Sequence, residues 1–397
     1  MSTRQDFTMV IPSYWGPAEK TGKSVEEILF DHPTTLDEEG TLGRLLESLD
    51  IFGELGGTVV IISVINEPGI VDKVEKKVES IIKLFRERFD ITHINQSTLE
   101  KIKKRLAGKG VGGAALKLVN LSNYAAVRNM CSLVGILNGN QYTIFIDDDE
   151  VFTDPDFLNK VEESMRCSIN GKKIEALAGY YLQPDTYRLD DTNVPPWRAP
   201  YWNNTVSMNH AFDMIIGRGD RLKPTPFVFG GNMTLSLDAL KQVPFDPQIT
   251  RGEDIDFLLN LRIHGITFYL DRELSIKHLP PASAQSAWKK FREDALRFLY
   301  ERKKVTDHAE LKLAELQPYP GEFLGDDLEE KIEKTGILLK QQYQAQSDEQ
   351  GAHECEKIIT LLKEKSWEQI DTKTRLREIT NHWRGLTAQT IGMGISK

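Results

Sequence analysis

Tyr142–Ile146, reading YTIFI, runs straight into four acidic residues, Asp147-Asp148-Asp149-Glu150. A short run made only of aromatic and β-branched side chains reads as a buried strand. Carboxylates cannot follow it into that core uncompensated. The strand must therefore end where charge meets water or a ligand, and an open sheet provides such an edge. The sequence before it agrees. Phe7-Thr8-Met9-Val10-Ile11 reads as a buried strand ended by Pro12, and Thr58–Val64 (TVVIISV) as a second. Leu116–Leu121 reads as a third, which makes YTIFI the fourth. Among them, Thr41–Phe52 has helical apolar spacing closed by Gly53, Ile70–Phe89 is amphipathic, and Asn123–Leu137 is a further helix.

Strand and helix in alternation imply an α/β chain with an open, mostly parallel sheet flanked by helices. Such sheets bind ligands outside the carboxyl ends of their strands. Pro12-Ser13-Tyr14, Asn66-Glu67 and Asp147-Asp148-Asp149 all fall at such ends. A long insertion, Gly16–Glu39, separates the first strand from its helix. The glycine-rich stretch Gly108–Gly113 lacks the Lys-Ser/Thr end of a phosphate-binding P-loop and reads as an ordinary loop. From Ser283 onward charged helical stretches take over: Ser286–Lys304, Asp326–Gln346 and His353–Trp383, with a turn-rich break at Gln317–Gly321. The expected division is a sheet domain over 1–285, in halves of about 1–150 and 151–285. A helical C-terminal module over 286–397 then packs on that domain or joins two copies of the chain.

A formal charge of −9 argues against nucleic-acid binding as the main activity. A phosphate-bearing ligand would need a few placed cations or a metal ion. The three cysteines are far apart, lack zinc-site spacing and read as reduced thiols. The first residues run directly into a strand with no signal-peptide pattern, and no apolar run is long enough to span a membrane. The expectation is a cytoplasmic protein.

Three consecutive carboxylates repel one another, and a divalent cation removes that cost while binding phosphate oxygens. The plainer alternative is an acidic turn capping a helix near Asp154-Pro155. A second cluster, Arg251-Gly252-Glu253-Asp254, opens an apolar-periodic helix ending near His264-Gly265. Its acids either cap that helix or supply, as Glu253 or Asp254, a general base for a hydroxyl. His278 follows a strand-like run, Ile266–Leu270, and is either structural or a metal ligand. Pro195–Asn204, dense in aromatics and amides, is either a sugar-binding surface or a loop anchored by its tryptophans.

In chain order, Val10-Ile11-Pro12-Ser13-Tyr14, Ala126-Val127-Arg128-Asn129, Ile146-Asp147-Asp148-Asp149, Gly230-Gly231-Asn232-Met233 with Gly252-Glu253-Asp254, and His278 span roughly residues 7–282. This series resembles glycosyltransferase family 2 and related nucleotide-sugar transferases of the GT-A fold, a Rossmann-like, mostly parallel mixed sheet. Asp147-Asp148-Asp149 resembles their DXD motif and Glu253-Asp254 their ED motif. The resemblance implies a hexosyltransferase that takes a nucleotide-diphosphate sugar as donor and a small-molecule or glycan hydroxyl as acceptor. Pro12 and Tyr14 would border the base, with Glu67 near base or ribose. Arg128 would lie beside base or diphosphate. Asp147 and Asp148 would belong to the nucleotide side, and Asp149 and His278 would hold Mg2+ or Mn2+. Asp254 would be the base of an inverting enzyme. Tyr14-Trp15 and Asn66-Glu67 depart from the family's usual residues, and the Q-x-x-R-W element of processive members is absent.

Two rivals remain. A nucleotidyltransferase also uses a metal on a Rossmann-like sheet, but normally carries a basic, glycine-rich loop after its first strand. Here Pro12-Ser13-Tyr14-Trp15 occupies that place. A non-catalytic nucleotide- or sugar-binding module would not need both the Asp triplet and Glu253-Asp254.

Overall fold

The structure is a computed structural model and describes residues 6–17, 30–65, 67–281, 283 and 285–395. Its centre is one mixed sheet. The main strands are β1 (Phe7–Gly16), β2 (Thr58–Ile65), β3 (Ile91–Ile94), β4 (Tyr142–Phe145), β5 (Ala176–Leu182), β6 (Leu222–Pro224), β7 (Met233–Ser236) and β8 (Phe268–His278). They lie in the order β6-β8-β5-β7-β4-β1-β2-β3. The block β4-β1-β2-β3 is parallel throughout, as is the β5–β8 pair. Strand β7 runs antiparallel between β4 and β5. Two short strands bracket the site: Thr34–Thr35 pairs with the end of β1, and Glu150–Val151 with the end of β8.

The near-continuous apolar runs have a simple cause. Side chains alternate between faces, and both faces are covered. Met9 and Ile11 join the core on one side of the sheet, whereas Val10 joins the core on the other. Ile61 divides from Val60 and Ile62 in the same way. Each such fully buried side chain contributes roughly 1.5–3 kcal/mol by leaving water.

Four sequence expectations change. Strand β1 does not end at Pro12 but continues to Gly16. The Val10 carbonyl accepts the Ile146 N–H, so Val10 faces β4, and Pro12, two residues on, faces the same way. The β1–β4 ladder stops at Val10 and Phe145, so the N–H that proline lacks has no strand to reach. Leu116–Leu121 is not a strand. A one-turn helix, Gly113–Leu116, precedes it and packs against the last long helix, and Leu118, Val119 and Leu121 are buried without a ladder. The third parallel strand is instead Ile91–Ile94, a short edge strand. His278 is not beyond its strand but is the last residue of β8. The stretch His353–Trp383 divides into two helices, separated by Lys365 in a left-handed conformation.

The helices used below are α1 (Leu42–Ser48), α2 (Val71–Lys83), α3 (Gln96–Gly108), α4 (Tyr124–Asn138), α5 (Phe157–Arg166), α6 (Asn204–Ile215), α7 (Leu237–Gln242) and α8 (Glu253–Ile263). Then come α9 (Ala287–Asp307), α10 (Leu328–Ala345), α11 (Glu349–Glu364) and α12 (Thr372–Ala388). The last four share one hydrophobic cluster with the sheet. Trp383 is fully buried and donates its indole N–H to the Leu240 carbonyl at 2.7 Å. Trp202 packs among Phe291, Phe298 and Phe323, with ring centroids 5.1–5.7 Å apart. The aromatic Pro195–Asn204 segment is thus an anchor for α9, with Tyr201 its exposed ring. Among the described residues no helix is long and apolar enough to cross a membrane.

Candidate active site

Each carboxylate after β4 meets a different fate. Asp147 takes a bidentate grip from Arg128, Nη1 to Oδ1 at 2.7 Å and Nη2 to Oδ2 at 2.8 Å. Arg128 sits in the first turns of α4, whose start is fixed by the Asn123 side chain accepting the Ala126 N–H at 2.9 Å. Arg128 is 3% exposed, and its Nε lies 3.4 Å from Glu253 Oε1. Burial opposes its charge, but Asp147 and the groups around it, Glu253 among them, together outweigh burial and keep it cationic. Asp148 turns inward and accepts the Ser13 hydroxyl at 2.6 Å. Burial, and then Asp149, push the Asp148 carboxyl well above its usual range. Glu150 is fully buried and accepts the Asp147 N–H at 3.1 Å. Gly231 makes this packing possible, because a Cβ there would collide with Glu150, Asp147 and Tyr181.

Asp149 meets His278. Its Oδ2 lies 3.5 Å from His278 Nε2, and its carbonyl accepts the Leu279 N–H at 2.9 Å. Two facts position the imidazole. Pairing of β8 with Glu150–Val151 sets His278 opposite Glu150, and the ring stacks on Tyr181 at 4.5 Å and 22°. Its Nδ1 is 3.4 Å from the Gln183 amide nitrogen.

Beside this cluster is a cavity of about 310 Å³, lined by Arg128, Glu253 and Asp254 together with Arg251. Gly252, at φ +71°, turns the chain into α8 and carries Glu253 and Asp254 to the wall. Asp254 Oδ2 accepts the Gly230 N–H at 3.1 Å and Oδ1 the Ile255 N–H at 2.8 Å. Burial pushes both acidic side chains up, Glu253 also through Asp254 beside it, while Arg128 works the other way.

The structure thus joins Arg128, Asp147 and Glu253 in one network, brings Asp149 to His278, and sets Asp254 in the cavity wall. The remaining expected residues are more dispersed. Tyr14 is buried at the end of β1 against Phe30 and Tyr124, at 4.6 and 5.5 Å, close enough to Arg128 and Asp147 to feel both charges. Pro12 is buried within β1, and Glu67 is half-buried where β2 gives way to the Pro68–Ile70 turn. Asn66 lies outside the described residues. None of Pro12, Tyr14, Glu67, Asp149 and His278 lines the cavity.

Sequence reasoning missed part of the wall. Asp31 and His32 come from the insertion after β1, and Asp294, Arg297 and Tyr319 from the C-terminal helical part. The insertion gave a signal in Phe30-Asp31-His32, since Arg251 pairs with Asp31 and Phe30 packs on Tyr14. The C-terminal residues gave none, because their charges look like any helix surface until α9 is docked. Arg297 is 4% exposed and donates to the Tyr319 hydroxyl at 3.2 Å.

No protein-family model matches the chain, and no curated protein matches it. Among solved structures, a mannosyltransferase from Pyrobaculum calidifontis in complex with GDP-Man and Mn2+ is similar at 11% identity, over 98% of this chain and 88% of that one, with a TM-score of 0.48. GalNAc-T7, solved with UDP, GalNAc and Mn2+, is similar at 9% identity over 95% of this chain and 59% of that one, TM-score 0.39. A mouse xyloside xylosyltransferase 1 is similar at 11% identity over 64% and 74%, TM-score 0.28. At these identities the likenesses assign no residue of this chain a role.

Proposed function

We propose that this protein is a GT-A glycosyltransferase that moves a hexose from a nucleotide-diphosphate donor to a hydroxyl acceptor. The observation that carries the reading is the meeting of Asp149, which follows β4, and His278, which ends β8, at 3.5 Å. A carboxylate oxygen and an imidazole nitrogen at that spacing fit a shared Mg2+ or Mn2+. Among the described residues no set of three such donors converges, so phosphate oxygens of the donor would complete the shell. When bound, the ion supplies positive charge to the leaving diphosphate. Turned over about its terminal bond, the Gln183 amide, whose nitrogen now lies 3.4 Å from His278 Nδ1, would present its oxygen to Nδ1–H, the tautomer that leaves Nε2 a lone pair.

The chain's own residues supply the rest. Arg128, kept cationic and rigid by Asp147, stands where negative charge grows on the diphosphate. Pro12 within β1, Tyr14 near its end and Glu67 just after β2 border the nucleotide, and Asp147 and Asp148 shape that edge. Asp254 faces the cavity that admits the acceptor, held by the Gly230 and Ile255 amides, and takes the proton of the attacking hydroxyl. Glu253 joins the acceptor side to Arg128. On this reading the catalytic unit is 1–285, with its nucleotide half over 1–150, and the helices of 286–397 close the acceptor cavity.

Titration calorimetry with nucleoside diphosphates, with and without Mn2+, tests the assignment. Binding that requires Mn2+ is expected. Tight binding of a nucleoside triphosphate with release of pyrophosphate on adding a sugar phosphate would instead make it a nucleotidyltransferase.

A further inference from the structure

Away from this site, α12 lays a polar stripe along a second cavity of about 200 Å³. Lys373, Arg377, Thr380 and Arg384 recur at three- and four-residue steps and so share one helix face. His264 and His308, which follow the last turns of α8 and α9, also line the cavity. Among the described residues no carboxylate lines the cavity, in a chain whose net charge is −9. Among the described residues, Lys373, Arg377 and Arg384 form no ion pair. Asp371 lies near Arg377, and Asp307 and Glu310 near His308, but outside the lining.

Two further groups point to a ligand. His308 is 7% exposed and Thr380 3% exposed, and His308 Nε2 and Thr380 Oγ1 are buried without a hydrogen-bond partner among the described residues. Buried polar atoms are normally satisfied, so both await an acceptor or donor. Burial, and then Lys304, hold the His308 imidazole below its usual range, so it is neutral and still offers one N–H. The ends of α8 and α9 present carbonyls, which repel anions. Any attraction for an anion must therefore come from the side chains.

We propose that this cavity binds a phosphate group, as free phosphate or as the monoester of a small molecule. Three cations answer a dianion, and Thr380 and His308 add donors for its remaining oxygens. The volume is several times the ~30 Å³ that a water occupies, which leaves room for more than the bare ion.

The test uses metal-free, full-length protein at constant ionic strength, titrated with inorganic phosphate and separately with a hexose monophosphate. A saturable rise in Tm and calorimetric binding are expected. In the Lys373→Gln/Arg377→Gln variant the affinity should fall at least about tenfold, the loss of one charge-assisted hydrogen bond. Both side chains are exposed, so the variant's Tm without ligand and its basal turnover should match wild type. Asp149→Ala should bind phosphate normally, which separates this site from the proposed donor site. Tighter binding of the monoester would make a phosphorylated metabolite the occupant, and equal binding would make it free phosphate. No saturable binding of either probe, or equal affinity in wild type and the double variant, would overturn the proposal.

Discussion

Two sets of buried carboxylates, one at the strand ends and one where the C-terminal helices meet the sheet, are treated in opposite ways. On the helical side Asp256 and Asp246 are each bonded to a cation. Lys304, at 0% exposure, bonds Asp256 and Asn260, and Arg375 Nε reaches Asp246 at 2.9 Å. Burial opposes the Asp246 charge, yet Arg375 and Lys304 hold its carboxyl below the usual range. At Asp256 burial outweighs Lys304 and the shift is upward. At the strand ends, Asp147 and Glu253 share the single guanidinium of Arg128, and burial pushes Asp148, Glu150, Glu253 and Asp254 up. The first set is complete as it stands and ties distant parts of the chain together. The second is short of positive charge, an arrangement that sequences retain where a ligand or ion supplies the remainder.

The sharpest way to break this comparison is Asp254→Asn. If Asp254 works on the acceptor, turnover should fall by about 10²–10⁴-fold, with nucleotide affinity nearly unchanged. The amide keeps only one of the two acceptor oxygens that now serve the Gly230 and Ile255 N–H groups. A stability loss of about 1 kcal/mol is therefore expected as well. Full turnover in the variant would reduce Asp254 to a structural acid like Asp246.

The converse test is Lys304→Met. Removing the buried cation strands Asp256, which should cost about 3–5 kcal/mol in denaturant unfolding, with the surviving folded protein still binding nucleotide. A loss below ~1 kcal/mol, the worth of an exposed pair, would show that the helical side is not held by its ion pairs.

Next in size is Asp149→Ala. Metal affinity, read by Mn2+ titration of nucleotide binding, should weaken by more than the ~10–100-fold typical of losing an outer-shell partner. The fold should remain, because the change removes a charge that raises the Asp148 carboxyl. Unaltered Mn2+ dependence would refute the pairing with His278 as a metal site.

The strand-end set was legible in the sequence because chemistry and fold coincide there. YTIFI had to be a strand, and the acids after it had to lie at its end. His278 stood out by its place after a strand-like run, but its pairing with Asp149, like the role of Arg128, came through resemblance to a family pattern, since neither spacing nor polarity brings these residues to Asp149 and Asp147. The helical side was readable only as helices. Lys304 and Asp256 look like surface charges on amphipathic helices, and nothing local says that they are the same buried pair. The wrong third strand has a related cause. Leu116–Leu121 looks like a strand because Leu118, Val119 and Leu121 join the core beside the turn of helix that α12 packs on, whereas Ile91–Ile94, at the sheet edge, carries His93 and Thr92 half-buried and so looks less like a strand.

Glu301 gives the finest test, because it lies on the helical side yet behaves like the strand-end acids. It is fully buried on α9, and neither carboxylate oxygen has a hydrogen-bond partner among the described residues. Arg297 Nη1 stands 4.0 Å away. Burial pushes its carboxyl up to about 8, although Arg297 pulls the other way. The unfolded chain releases this proton near the ordinary value of about 4.3. Above that pH the folded state binds a proton that the unfolded state has lost, so stability declines as pH rises. The slope is at most ~1.4 kcal/mol per pH unit and levels off once the folded group ionises. Glu301→Gln cannot titrate and should remove the slope. Urea unfolding curves of variant and wild type should lie close together near about pH 5 and separate toward pH ~8, where the variant should be the more stable. Turnover should be unchanged, since Arg297 rather than Glu301 lines the cavity. Parallel stability curves at all pH values would mean that Glu301 is charged and paired like Asp246. A fall in turnover without the pH effect would place it in the active site instead, and the division between a complete and an incomplete set of charges would then not follow the boundary between sheet and helices.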